Sequence, residues 1–293
     1  MSLTIENNIL MKNGKPFFYL ADTCWSAFTN IKDNDWDYYL DYRKSQGFNT
    51  LQINILPQWD ASATDLCYEP FEVIDGKYNY KKLNLSYFEH ADKMCARAKE
   101  KGFELALVIM WCNFVPDTWA SQFYSKGLMP IDCIDNYINI IHETFTKYEP
   151  LYIISGDTDF NTEQCIEYYV KCAKQIKELA PNCLYTTHIK GRYTYIPDNL
   201  YSYLDLCFYQ RGHNAQNLGM PYLLAEEMAD KYKGKPVINS EPCYEDMGYS
   251  RQMYGRWSKE DIIRAAWMSL LSGASAGITY GAAGIYSWHT TNK

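Results

Sequence analysis

The sequence predicts an α/β fold: a single (β/α)8 TIM barrel over residues 1–293, with a short or missing eighth helix. Three observations predict it. Short apolar runs rich in β-branched and aromatic residues alternate with longer amphipathic stretches along the whole chain. Eight such runs start about 37 residues apart on average, which suits a closed barrel better than an open sheet. The 293 residues match one such barrel, which takes roughly 250 residues.

The expected strands are 17–23, 49–56, 104–110, 151–157, 184–189, 204–210, 236–241 and 277–281. Each is short and apolar enough to be buried on both faces, as parallel strands under helices must be. The expected helices are 33–46, 85–101, 131–147, 161–179, 217–233 and 258–272. The first opens on an Asp cap and stops before Gly47, and the second stops before Gly102. The link 190–203 is too short for a full helix. Only a dozen residues follow the eighth strand, so the eighth helix is missing or the chain is cut short. Residues 57–84 and 113–130 read as long loops. No internal repeat, low-complexity tract or interdomain linker interrupts the pattern.

Composition narrows the function classes. Acids outnumber bases 35 to 28, for a formal charge of -7. Without a dense Lys/Arg stripe, nucleic acid is not expected as the main partner. Aromatic residues reach 16%, with 27 Tyr and 8 Trp. Aromatic faces pack on the C–H faces of sugars while Tyr hydroxyls and Trp N–H groups still hydrogen-bond. The same richness also fits a Tyr-rich core and surface. The ten cysteines lack any Cys-x-x-Cys pair and sit mostly in apolar strands or helices, as buried free thiols do. No basic run with an apolar stretch opens the chain, and no segment approaches 18 apolar residues. A soluble, cytoplasmic chain without a membrane partner is expected. Met1-Ser2-Leu3 equally fits the start of an expressed segment whose leader was removed. Neither His-x-His nor His-Glu-x-x-His occurs, so no metal and no cofactor are expected. Oligomeric state is left open.

Barrel active sites lie at the C-terminal ends of the strands. The polar residues there are Asp22 and Thr23, Asn54, Trp111 and Asn113, Asp157 and Asp159, His188 and Lys190, Tyr209 and Gln210, Glu241, and Tyr280. Two acids stand out. Asp157 ends the fourth strand and Glu241 the seventh, on opposite sides of the mouth. One carboxyl could protonate a leaving oxygen while the other attacks or activates water, as glycoside hydrolysis requires. Strand-end acids also cap the helix that follows. That reading is open for Asp157 and Asp159 but poor for Glu241, which precedes Pro242. Trp25, Trp59, Trp111, Trp119 and Trp288 fall near the mouth as sugar platforms or loop packing. Trp36, Trp257 and Trp267 lie in or beside helices and read as packing. His188 would meet a substrate hydroxyl. His213 and His289 are loop residues that could line the mouth, whereas His90 and His142 read as structural.

The run from Gly14 to Trp25 (Gly-Lys-Pro-Phe-Phe-Tyr-Leu-Ala-Asp-Thr-Cys-Trp) resembles the opening of the apiosidase-like glycoside hydrolase catalytic domain, within the retaining (β/α)8-barrel glycosidases. Gly47-Phe48-Asn49, Gly156-Asp157, the run Asn239-Ser240-Glu241-Pro242-Cys243-Tyr244-Glu245 and Thr279-Tyr280-Gly281 follow in order and span almost the whole chain. The resemblance implies a carbohydrate substrate, Asp157 as acid/base and Glu241 as nucleophile, with Asp22, Trp25, Tyr280 and Trp288 forming the pocket by position. It differs in carrying Gly156-Asp157 where many barrel glycosidases carry Asn-Glu, and in not continuing into the C-terminal β-domain often found in the family. A nucleophile must stay ionised, so Glu241 needs donors, for which Tyr209 and Asn239 are expected. Asp157 needs burial or the charge of Glu241 to hold its proton.

Cleavage of a terminal bond is expected, because the two long loops could wall off one side. Two other readings stand beside it. A Schiff-base aldolase would use Lys190, although Gly191 and Arg192 suggest a wet loop there. A non-catalytic sugar-binding barrel would need only the aromatics. Gly273-Ala274-Ser275-Ala276-Gly277 has the spacing of a nucleophile elbow, but it follows a helical run and precedes a strand, the reverse of what that motif needs.

Overall fold

The computed structural model describes residues 3–59, 68–251 and 253–289. Eight parallel strands form its centre: β1 (Tyr19–Thr23), β2 (Thr50–Asn54), β3 (Glu104–Trp111), β4 (Leu151–Gly156), β5 (Leu184–Thr186), β6 (Cys207–Gln210), β7 (Val237–Glu241) and β8 (Gly277–Tyr280). They pair in the order β5-β4-β3-β2-β1-β8-β7-β6. The eight expected runs are therefore the eight staves. The seam lies between β5 and β6, where no regular ladder forms. It is bridged by the Asp205 amide on the Tyr185 carbonyl (2.8 Å), the Arg192 amide on the Gln210 carbonyl (3.0 Å) and the Gln210 side chain on the Ile189 carbonyl (2.9 Å).

Besides a single buried turn at Ala27–Asn30, the described α-helices are α1 (Asp33–Ser45), α2 (Leu85–Glu100), α3 (Ile134–Phe145), α4 (Glu163–Leu179), the single turn α5 (Asp198–Tyr201), α6 (Met220–Lys231) and α7 (Lys259–Leu271). The one-turn α5 is what the short link between strands five and six allows. Asp33 is the first helical residue of α1 and makes no cap bond. With Asp35 it places negative charge in the first turn, while Arg43 and Lys44 occupy the last, matching the helix dipole. Ser258 and Asp261 form a capping box at α7. No described helix is long and apolar enough to cross a membrane. Nine cysteines are buried free thiols, as expected; Cys67 lies outside the described residues.

Two small antiparallel sheets correct the sequence reading. Leu3–Glu6, Ile9–Lys12 and Lys15–Pro16 form a three-stranded sheet just before β1. Its Leu3 and Leu10 are buried, and Lys12 pairs with Glu104 at the start of β3 (2.5 Å). This sheet covers the N-terminal end of the barrel. Within 57–84, read as a loop, Phe71–Ile74 and Lys77–Leu83 form a hairpin. Its turn, Asp75-Gly76, has both φ angles positive (48° and 77°), which Asp-Gly adopts readily. The hairpin clasps the other long loop: the Tyr78 amide donates to Lys126, the Tyr80 hydroxyl to Gly127 (2.5 Å), and Lys126 pairs with Glu69 (2.8 Å). Residues 69–80 and 126–127 thus brace one another. Trp36 and Trp257 are packed as expected, but Trp267 is largely exposed on α7.

Side-chain alternation along the staves decides what faces inward. Tyr19 reaches across the barrel to Phe208, and its hydroxyl donates to Gln52 (3.1 Å). Gln52 in turn donates to Thr23 (3.1 Å) and to the Ser240 carbonyl (3.0 Å). Leu20 and Asp22 then face the helices.

Candidate active site

A cavity of about 280 Å³ opens at the C-terminal ends of the strands and contains both Asp157 and Glu241. Trp25, Trp59, Trp111, Trp119, Tyr244 and Tyr286 form much of its wall. Four of the five mouth tryptophans are therefore on the cavity.

Glu241 owes its aim to an irregularity. Tyr209 pairs with Asn239, but Gln210 pairs with Glu241, so Ser240 is an extra residue in β7. Without that bulge, alternation would send Glu241 outward beside Asn239. Bulges re-aim side chains in this way. Its carboxylate then meets two imidazoles: His213 Nε2 lies 2.7 Å from Oε1 and His188 Nε2 lies 3.2 Å from Oε2. The Tyr244 hydroxyl, itself accepting from Trp25 Nε1 (3.0 Å), also bonds to Glu241. Burial alone would raise the carboxyl pKa. Hydrogen bonds from His188 and His213, with their charge, outweigh it and hold Glu241 at about 2.

The expected donors for Glu241 are corrected here. Tyr209 and Asn239 face outward, where the Tyr209 hydroxyl donates to the Pro221 carbonyl (3.1 Å) and Asn239 to Ser269 (2.9 Å). The donors come instead from strand five, from the loop after strand six and from Tyr244. The sequence placed His188 and His213 near the mouth, yet no spacing rule linked either to Glu241. Tyr244 stood three residues beyond it in the quoted run.

Asp157 has φ of +51°, a left-handed conformation that Asp tolerates better than most residues. It follows Gly156, where a Cβ would sit 2.0 Å from the Trp111 ring. The indole fills the space that a side chain at 156 would need, which explains Gly at this position. Gln210 Nε2 donates to Asp157 Oδ1 (2.7 Å) and to the Ile189 carbonyl (2.9 Å). Both amide protons are thereby used, so His188 can direct its own N–H at Glu241. Contacts of 2.7 Å from Asp157 to Gln210, 3.2 Å on to His188 and 3.2 Å on to Glu241 keep the carboxylates within about 9 Å of each other. Carboxyl pairs lie ~5–5.5 Å apart in retaining glycosidases and ~6.5–9.5 Å apart in inverting ones, so this bound admits both geometries. Capping does not explain Asp157 or Asp159. Thr162 caps α4 by accepting from Cys165 (3.2 Å), and Asp159 pairs with Lys190 (2.7 Å).

Other expected pocket residues are placed elsewhere. Asp22 is fully buried behind the wall, bound by Arg43 and by the Tyr39 hydroxyl, each at 2.5 Å. Tyr280 also faces out, donating to Glu245 (2.7 Å) under the Arg43 guanidinium. Trp288 packs edge-on against Tyr39. Strand alternation accounts for Asp22 and Tyr280, and the loop path for Trp288. His188 is buried beneath the cavity, with Nδ1 2.8 Å from Ser240 Oγ, so it serves Glu241 and not a substrate hydroxyl. Asn54 is buried beside the site, and its amide has no hydrogen-bond partner among the described residues. Trp25 and Trp111 line the cavity as expected. His289 packs on Tyr286. The described residues hold no group of three or more potential metal ligands.

Known proteins resemble this chain in family and in fold. The model of the "Apiosidase-like, catalytic domain" family matches residues 5–293. A family 5 glycoside hydrolase from Bacteroides vulgatus ATCC 8482 superposes with TM-score 0.83 at 24% identity, covering 100% of this chain and 64% of that one. A second structure, described as a glycoside hydrolase, gives 0.81 at 24% identity, with 100% and 67% covered. The endo-1,4-β-mannanase of Rhizomucor miehei gives 0.62 at 12% identity, with 96% and 90% covered. These likenesses speak for the fold. The chain spans 64% of the length of the first of them. No curated protein matches it significantly. The chain belongs to the apiosidase-like catalytic-domain family, built on the glycoside-hydrolase (β/α)8 barrel.

Proposed function

We propose that the protein hydrolyses a glycosidic bond with retention of configuration, with Glu241 as nucleophile and Asp157 as acid/base. The observation that carries this reading is Glu241, held anionic by two imidazoles in a cavity that it shares with Asp157. In the first step Glu241 bonds to the anomeric carbon as the C–O bond breaks, and the Asp157 proton passes to the leaving oxygen. In the second, Asp157 takes a proton from water, the oxygen attacks the anomeric carbon, and Glu241 leaves. Tryptophans from both long loops, Trp59 and Trp119, line the cavity, which supports terminal cleavage. No metal or organic cofactor enters these steps.

The aldolase alternative loses its chemistry. Lys190 is held 2.7 Å from Asp159. Burial lowers its pKa, but the Asp159 bond and charge more than reverse this, so it stays protonated and not nucleophilic. The test is chemical rescue. Glu241→Ala loses turnover of activated aryl glycosides, and added azide restores it, giving a glycosyl azide of inverted configuration. Full activity in Glu241→Ala, or rescue without inversion, overturns the assignment. A folded protein that binds oligosaccharides but cleaves none would be the sugar-binding barrel.

A further inference from the structure

Behind the nucleophile lies a buried hydroxyl that the reaction steps do not use. Ser240, the extra residue of the β7 bulge, is fully buried. Its Oγ lies 2.8 Å from His188 Nδ1 and 3.1 Å from the Tyr209 backbone carbonyl. On the other edge of the ring, His188 Nε2 lies 3.2 Å from Glu241 Oε2 and 3.2 Å from Gln210 Nε2. Trp25 and Trp111 box the ring, with centroids 5.4 Å and 5.7 Å away. Both Gln210 amide protons go to Asp157 and the Ile189 carbonyl, which leaves none for His188 Nε2. Facing the Glu241 carboxylate, Nε2 therefore carries a proton and donates it. What remains is Nδ1, an acceptor in neutral imidazole and a donor in imidazolium. A carbonyl or carboxylate partner would serve only the charged form, and an N–H only the neutral one. A hydroxyl serves both.

We infer that Ser240 is a positioning residue for the nucleophile: its hydroxyl holds His188 with Nε2–H on Glu241 whether or not the imidazole is charged. This rests on Glu241 being the nucleophile. Towards neutral His188 the hydroxyl donates to Nδ1. Towards the imidazolium it accepts from Nδ1–H and turns its own proton to the Tyr209 carbonyl. No bond is made or broken at Ser240; only the O–H rotates. Full burial keeps substrate from this oxygen, which excludes a nucleophilic role for it. Glu241 alternates between an anion and an ester during the proposed cycle, so the field on His188 changes within each turnover. A partner of fixed polarity would lose its bond in one of those states and leave a buried ring nitrogen unpaired. His213, the other imidazole on Glu241, has no such support, since its Nδ1 makes no hydrogen bond among the described residues. His188 is thus the donor whose orientation is fixed from behind. One inserted residue both turns Glu241 inward and supplies the hydroxyl that orients its donor.

The first measurement is made on the wild-type protein. Two-dimensional NMR with 15N-labelled histidine distinguishes protonated from bare ring nitrogens, and His188→Gln identifies the His188 signals among the five histidines. His188 should keep Nε2 protonated from pH 5 to 9. A form with Nδ1 protonated and Nε2 bare anywhere in that range overturns the proposal. The second measurement is kinetic, on an activated aryl glycoside, with folding checked by circular dichroism. Ser240→Ala should lower kcat about tenfold, the scale of one lost buried hydrogen bond. KM should hold, and the acid limb of kcat/KM should move upward as Glu241 loses part of its donor. Ser240→Thr, which keeps the hydroxyl, should restore both. An unmoved acid limb and kcat in folded Ser240→Ala overturn the positioning role. A loss that folded Ser240→Thr fails to restore belongs to packing of the bulge and overturns it as well. Nε2–H signals in a wild-type protein that cleaves no glycoside remove the hydrolytic reading and leave the hydroxyl–imidazole assignment standing.

Discussion

Replacing His213 with Ala isolates the physical basis of the nucleophile. Its Nε2 sits 2.7 Å from Glu241 Oε1, a charge-assisted hydrogen bond worth about 1.5–3 kcal/mol. Glu241 borders the cavity, so water can replace part of the bond, and the lower end of that range applies. At 1.36 kcal/mol per pH unit, losing about 1.5 kcal/mol lifts the Glu241 pKa by roughly one, from about 2 to about 3. The nucleophile must be ionised in the free enzyme, so the acid limb of kcat/KM should move up by the same amount. The assay is kcat/KM on an activated aryl glycoside from pH 2.5 to 7, with folding checked by circular dichroism at each pH. His213→Gln, whose amide nitrogen can take the place of Nε2, should recover part of the shift. An acid limb that stays in place in a folded His213→Ala protein refutes the argument that this imidazole holds Glu241 ionised.

Three other outcomes follow from the same contacts. The depressed Glu241 pKa contributes stability that is present above its ordinary value near 4.3 and lost as pH falls toward about 2. The urea midpoint of the wild type should therefore fall more steeply between pH 4.5 and 2 than that of Glu241→Gln, and parallel curves would contradict the pKa shift. Gly156→Ala drives a methyl into the Trp111 ring, 2.0 Å away; overpacking of this kind costs about 1–3 kcal/mol. A lower Tm with reduced kcat is expected, and a neutral Gly156→Ala would mean that the indole is mobile. Arg43→Met strands the buried Asp22 carboxylate, at a cost of about 3–5 kcal/mol. Any activity surviving in the folded fraction should keep its KM; a raised KM would return Asp22 to the pocket.

Period and punctuation made the barrel legible. All eight staves and six of the helices lie where the alternation of short apolar runs with amphipathic stretches puts them. The hairpin at 71–83 was missed although Asp75-Gly76 announced its turn, because its flanks carry too many charges to read as strands. The candidate acids were legible as strand-end residues, and their family context followed from short motifs spread along the chain.

Local sequence determined which residues end each strand, since hydrophobic runs and the turns that stop them are written in neighbouring residues. Only the tertiary structure decided which way those residues point. Asp22, Tyr209 and Tyr280 end strands as Asp157 and Glu241 do, yet alternation turns them to the helices. A single extra residue, Ser240, turns Glu241 inward. The charge state of that carboxylate was likewise out of reach of the sequence. His188 and His213 lie 53 and 28 residues before it in the chain, and only closure of the barrel brings their nitrogens within hydrogen-bonding distance.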